Sequence, residues 1–120
     1  MEKLEDFISE LKNSSKLIIV EGKKDKKALG DLGIKNIITL KQPIYKIVEQ
    51  ISKKNKEVII LTDLDKEGKK LYGKLNSELQ RFGVNVDKKF REFLFKKTTL
   101  RQIEGLSSYV ENQKNLKREK

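Results

Sequence analysis

Three acidic residues stand directly behind apolar runs. Glu21 follows Leu17-Ile18-Ile19-Val20, and Asp63 and Asp65 follow Val58-Ile59-Ile60-Leu61 with Thr62 between. Carboxylates gathered in one place repel one another, so one of them takes up a proton or a cation sits between them. Mg²⁺ suits such a set, with Mn²⁺ as the second choice: it takes one or two carboxylates, keeps several waters and binds substrate phosphate. The Asp-x-Asp spacing lets both side chains reach one ion from the same side. Gly22 and Gly68 stand beside these acids and leave room for a backbone or a phosphate to come close. A plainer role is open to each acid in turn: Glu21 and Asp25 at the head of one helix, and Asp63 and Asp65 at the head of another, as N-terminal caps.

The composition narrows the chemistry further. The chain of 120 residues has no Cys and no His. That excludes a disulfide framework, a thiol nucleophile, a Ser-His-Asp triad and any zinc site built on those ligands. A metal here must be held by oxygen. Net charge is +10 with pI near 9.7, which favours an anionic partner, nucleic acid before an acidic membrane surface. The excess is uneven: residues 1–87 carry 18 basic and 14 acidic groups, residues 88–120 carry 10 and 4. The longest apolar runs are too short to span a bilayer and the N-terminus lacks an apolar leader, so the expected location is cytoplasmic, with no membrane partner.

The acids can meet only if the chain between them folds back. Leu4, Phe7, Ile8 and Leu11 predict an amphipathic helix over 2–12, closed by Asn13-Ser14-Ser15. Lys16 to Val20 reads as a buried strand, Lys24 to Leu32 as a helix closed by Gly33, and Ile34 to Leu40 as a second strand. Pro43 opens a third helix with Ile44, Ile47, Val48 and Ile51 inward. Val58 to Thr62 is a third strand, a helix then runs to about Phe82, and Val84 to Val86 is a fourth strand. Residues 88–97 fit two patterns: Phe90, Phe93 and Leu94 suit a helix, whereas Phe93-Leu94-Phe95 would extend a strand. Thr98 or Thr99 would cap a further turn, and Leu106, Tyr109 and Val110 begin a last helix.

This alternation predicts an α/β fold, a four-stranded parallel sheet with helices on both faces. With right-handed crossovers and the strand order 2-1-3-4, strands one and three are neighbours and the winding reverses between them. In such sheets the ligand crevice lies at that point, beyond the carboxyl ends of the strands. Glu21, Asp63 and Asp65 would then converge there. The domain boundaries that follow are 16–97 for the α/β unit, 1–15 for a helix packed on it, and 98–120 for a helical basic tail.

The run Leu-Ile-Ile-Val-Glu-Gly-Lys-Lys-Asp, with Val-Ile-Ile-Leu-Thr-Asp-Leu-Asp-Lys-Glu-Gly some forty residues on, resembles a Toprim domain over roughly residues 16–86. That family includes the catalytic part of bacterial-type primases, type IA and type II topoisomerases, and several small nucleases. Glu21, Gly22 and Asp25, with Asp63, Asp65 and Gly68, are most similar to the primase and small-nuclease branches. Glu-Gly-Lys-x-Asp is close to the maturation nuclease of 5S ribosomal RNA. The resemblance implies that Asp63 and Asp65 hold Mg²⁺, that Glu21 is a general acid or base or a further ligand, and that the reaction is phosphoryl transfer on a nucleic-acid backbone. It also draws attention to Glu67, where topoisomerases carry a third acid.

Departures from the family set the alternatives. The topoisomerase tyrosine domain and the primase accessory modules have no counterpart, and Tyr45, Tyr72 and Tyr109 fall on helical stripes as packing residues. The first expectation is therefore a small Mg²⁺-dependent nuclease acting on RNA or DNA. The second is a non-catalytic module that binds nucleic acid or docks onto a larger RNA- or DNA-processing complex through the same site. A third, blander one is a basic RNA-associated protein with a degenerate site. Lys23, Lys24, Lys66, Lys96, Lys97 and Arg101 are the expected nucleic-acid contacts. Lys88, Lys89 and Arg91, interleaved with Phe90, Phe93 and Phe95, would extend a strand-binding patch unless the phenylalanines fill a core.

Overall fold

Strand β1, Leu17–Val20, is buried along its whole length. Four consecutive buried residues need cover on both faces, and a parallel sheet between helices supplies it. The computed structural model describes residues 1–118 and shows that sheet. β2 is Ile37–Thr39, β3 is Glu57–Ile60 and β4 is Asn85–Val86, and the order across the sheet is β2-β1-β3-β4 with every pair parallel. The 2-1-3-4 arrangement is the one that the alternation of elements predicts. The second strand is shorter than Ile34 to Leu40. Asn36 holds a left-handed φ of 63° just before it and breaks the extended run.

Side-chain alternation divides the interior into two layers. Ile18, Val20, Ile59 and Leu61 face the first, which α1 (Leu4–Asn13), α2 (Lys23–Asp31), α5 (Lys89–Lys97) and α6 (Leu106–Arg118) cover. Leu17, Ile19, Val58 and Ile60 face the second, under α3 (Ile44–Lys54) and α4 (Lys66–Arg81). A 3-10 turn, Ile103–Gly105, precedes α6. Residues 88–97 settle as a helix because Phe90, Phe93 and Leu94 at i, i+3 and i+4 all reach the first layer. Phe7 stacks on Phe93 with ring centroids 5.4 Å apart and meets Phe90 edge-on at 5.8 Å, which locks α1 to α5. The residues read as a basic tail do form a helix over 106–118, and Leu100, Ile103, Leu106 and Val110 belong to the first layer. The part of that tail beyond residue 118 lies outside the described residues.

Two smaller expectations are corrected. Tyr45 is 62% exposed and is no packing residue. It precedes the stripe of Ile47, Val48 and Ile51 and falls on the outer side of α3. Thr98 caps no further turn. It stands just past α5, donating from Oγ1 to the Leu94 carbonyl at 2.6 Å and accepting from the Leu100 N–H at 3.2 Å, while the 3-10 turn starts after Gln102. Among the described residues no helix is long and apolar enough to cross a membrane.

Candidate functional site

The register of β1 against β3 brings the acids together. Ile19 lies opposite Ile60, so Glu21 and Asp63 leave the sheet side by side at its carboxyl edge. The Asp63 N–H donates to Glu21 Oε2 at 3.3 Å. Asp25 joins them from the first turn of α2. Its carboxylate accepts from the Gly22 N–H at 2.9 Å, and the residue is 7% exposed. One carboxylate oxygen from each of Glu21, Asp25 and Asp63 lies within 4.8 Å of the others. The resemblance gave Asp25 no ligand role, and from the residues it read as a helix cap. In the structure it is both a cap and a wall of the acidic cluster.

Asp65 takes a different place. It is the N-cap of α4, its Oδ1 accepting from the Gly68 N–H at 2.8 Å, and it is not one of the three clustered acids. Gly68 is required there by contact. A Cβ added to it would lie 1.9 Å from the Asp63 carbonyl oxygen, so only glycine lets α4 start against the Asp63 loop. Thr62, fully buried, donates from its hydroxyl to the Gly68 carbonyl at 2.8 Å and fixes the same turn. At Gly22 the added Cβ would meet nothing closer than Asp25 at 4.0 Å. Glu67 is exposed and stands 4.0 Å from Lys70, outside the cluster.

The segment after α5 closes the site from the other side. The Ile103 N–H donates to Asp63 Oδ1 at 2.9 Å, and the Leu64 N–H donates to the Arg101 carbonyl at 2.7 Å. Burial raises the Asp25 pKa, and the backbone at Glu104 opposes a small part of that rise. The 3-10 turn therefore aims its first N–H groups at the carboxylates, a favourable placement of negative charge at a helix start. No local pattern announces this, because residues 103–104 lie forty positions beyond Asp63.

Arg91 is the second residue that sequence reading did not place here. It projects from α5, its guanidinium 4.6 Å from the Tyr72 ring centroid, and donates from Nη2 to the Asp63 carbonyl at 2.7 Å. Its Nε is buried and has no hydrogen-bond partner among the described residues. Burial pulls its pKa down, while the nearby Tyr72, Glu21, Asp63 and Asp65 pull it back. An arginine remains charged at neutral pH under such opposing influences.

The acids themselves are strained electrostatically. Burial pushes the Glu21 carboxyl up to about 7, and the adjoining Asp63 and the charge of Asp25 push the same way. Burial likewise raises Asp25, with the Gly22 N–H opposing. Three hard oxygen donors, close together and short of neutralising charge, are the donor set that a small divalent cation satisfies. On that chemistry Glu21, Asp25 and Asp63 fit a divalent metal.

A model of the Toprim domain matches residues 16–94. The chain belongs to the Toprim family. Relatives match along nearly the whole length. A UPF0292 protein of Methanocaldococcus jannaschii is 42% identical over 91% of each chain. UPF0292 proteins of Methanosarcina barkeri and Pyrococcus abyssi are 35% and 38% identical, covering 92% and 85% of this chain and 82% and 77% of theirs. A solved structure of a protein from Aquifex aeolicus superposes with a TM-score of 0.81 at 39% identity, over 87% of this chain and 98% of that one. Membership of the Toprim family goes with metal-dependent work on nucleic acids, and the acidic cluster is this chain's candidate metal site.

The basic residues singled out from the sequence fall at element ends, some of them beside the cluster. Lys23 and Lys24 open α2 and Lys66 opens α4, so all three stand at the carboxyl edge of the sheet. Arg101 is tied there through its carbonyl, and Lys96 and Lys97 end α5. All six are exposed. Of the phenylalanines, Phe90 and Phe93 are core residues and Phe95 is 45% exposed.

Proposed function

We propose that this Toprim protein is a small metal-dependent nuclease that hydrolyses phosphodiester bonds of RNA or DNA. The observation that carries this reading is the convergence of the Glu21, Asp25 and Asp63 carboxylates within 4.8 Å, with the Arg91 guanidinium bonded to the Asp63 backbone beside them. Glu21, Asp25 and Asp63 would hold Mg²⁺ or Mn²⁺, and Asp65, outside that cluster, keeps one carboxylate oxygen that its cap does not use. The ion, when bound, supplies positive charge at a scissile phosphate and acidifies a coordinated water.

The chain's own groups do the rest. Glu21, whose carboxyl burial pushes up to about 7 while no ion is bound, can take or give a proton only where it is not itself a ligand. Arg91, bonded through Nη2 to the Asp63 carbonyl, places a fixed positive charge beside the acids where a phosphate would develop negative charge. Lys23, Lys24, Lys66, Lys96, Lys97 and Arg101 supply a basic rim for the substrate backbone.

The test is cleavage of labelled single- and double-stranded RNA and DNA with Mg²⁺, Mn²⁺ or EDTA. Metal-dependent product is expected from the wild type. A loss of at least about a hundredfold is expected in Asp63→Asn, the size seen when one stabilising group is removed from an electrostatic site. Cleavage undiminished in Asp63→Asn overturns the reading. A second reading, binding and docking without turnover, draws on one specific observation. Asp25, Asp63 and Asp65 each already accept a backbone N–H, so the acids serve the fold as well as any ligand. Salt-dependent binding with no product on any substrate would select it.

A further inference from the structure

Phe95 stands on the outer side of α5, 45% exposed, while its neighbours Phe93 and Leu94 are in the core. Two cations from two other elements lie over its ring: Lys69 of α4, with Nζ 4.8 Å from the centroid, and Arg101 of the segment after α5, with Cζ at 5.6 Å. Among the described residues no other ring carries two. Neither cation is in a salt bridge among the described residues; Arg101 Nη1 donates to the Leu100 carbonyl, 2.9 Å away. Both are long, exposed side chains with charge to spare, and Lys66, Lys96 and Lys97 lie within three residues of the three named.

This arrangement is continuous with the acidic site. Arg101 accepts from the Leu64 N–H through its carbonyl, and Ile103, two residues on, donates to Asp63. Lys69 follows Gly68, whose N–H caps onto Asp65. Between Asp65 and the Arg101–Gly105 segment lies a groove of about 420 Å³ that Gln102 and Tyr109 also line.

We propose that Phe95, Lys69 and Arg101 form a stacking platform for one unpaired base, so that the substrate strand is single-stranded where it approaches the acids. The proposal names the substrate class of the nuclease reading and rests on it for the direction in which the strand runs. A base laid on the Phe95 face displaces the cations from the ring, and they turn to the phosphates on either side. Stacking of a base on an exposed aromatic with flanking positive charge tolerates any sequence, because every base has a π-face. A duplex cannot use such a platform, since its bases are stacked on one another and offer only edges and backbone.

Binding of short labelled single strands of RNA and DNA, and of the matching duplexes, tests this in EDTA, where no cleavage intervenes. The wild type is expected to hold single strands more tightly than duplex. Phe95→Ala and Phe95→Leu are expected to weaken single-strand binding by about 5- to 150-fold, with duplex binding unchanged, whereas Phe95→Trp retains it. The leucine variant keeps apolar bulk without a π-face, and since Phe95 lies outside the core its melting temperature serves as the folding control. Lys69→Ala and Arg101→Ala are each expected to reduce the slope of log K against log salt by about 0.7. Equal affinity of wild type and Phe95→Leu for single strands overturns the platform, as does equal affinity for duplex and single strand. Failure of the nuclease reading looks different. Asp63→Asn that cuts as well as the wild type leaves the Phe95 dependence intact, and cleavage indifferent to Phe95 leaves the nuclease standing without the platform.

Discussion

Glu21 sets the response of the free protein to pH. Its carboxyl ionises near 7 in the fold against 4.5 when free, so between those values the folded chain keeps a proton that the unfolded chain has released. Stability must then fall as pH rises through that window, with the full penalty present above it. Asp25 is raised as well and acts in the same direction. A melting-temperature series from pH 4.5 to 8 in EDTA should decline, and the decline should shrink in Glu21→Gln; a variant with the wild-type slope would assign the effect elsewhere. Saturating Mg²⁺ should flatten the same curve, because a cation between the acids removes the advantage of the proton. Glu21 and Asp63 were legible in the sequence, since each follows a strand and parallel strands release their ends at a common edge. Asp25 was half legible: Glu-Gly-x-x-Asp shows a cap three residues past a strand end, and a cap and a ligand look alike at that distance. Arg91 was not legible, because its neighbours in space, Tyr72 and the Asp63 carbonyl, lie on elements that no local pattern connects to it.

The start of α4 is the element on which the site depends. Two of its glycines carry opposite predictions. Gly68→Ala puts a methyl group 1.9 Å from the Asp63 carbonyl, and relief requires the acid loop to move. It should cost about 1–3 kcal/mol in urea unfolding and abolish the metal-induced rise in melting temperature. Gly73, in the same helix, is exposed with nothing within 4 Å of an added Cβ. Gly73→Ala should gain about 0.5–1 kcal/mol from helix propensity. If both alanines gain, packing of Gly68 on Asp63 does not hold in solution. The helix itself was legible from Leu71, Leu75 and Leu79 and from Asp65 at its head. Residues 88–97 stayed ambiguous because an aromatic run of Phe93-Leu94-Phe95 satisfies a strand locally. Only the layer formed by Phe7, Leu11 and Ile103 decides that Phe90, Phe93 and Leu94 point the same way.

At the scale of the molecule, the chain after α5 is part of the core. Ile103 is fully buried, and its N–H holds Asp63. Ile103→Ala should therefore cost about 2–5 kcal/mol, and unfolding followed by circular dichroism should still be one transition. Removal of residues 98–120 takes Leu100, Ile103, Leu106 and Val110 out of the first layer at once. That shortened chain should show no cooperative melting, while a cooperative transition in it would mean that the sheet and its first five helices are self-sufficient. The all-parallel sheet and its strand order were legible from the alternation of elements, as the apolar strands require cover on both faces. The closing role of residues 98–120 was not, since their charge suggested a solvated tail and their apolar residues are spaced too widely to reveal a shared layer.

The bonds from Ile103 to Asp63 and from Arg101 to Leu64 also impose an order in time. Synthesis runs from the N-terminus, so all four strands and all three clustered acids are made before the turn that clasps them. While residues 98–106 are still inside the ribosome, Asp63 lacks its Ile103 donor and the sheet's first face lacks its cover. The acidic centre is consequently completed last, when the turn that holds Asp63 has emerged.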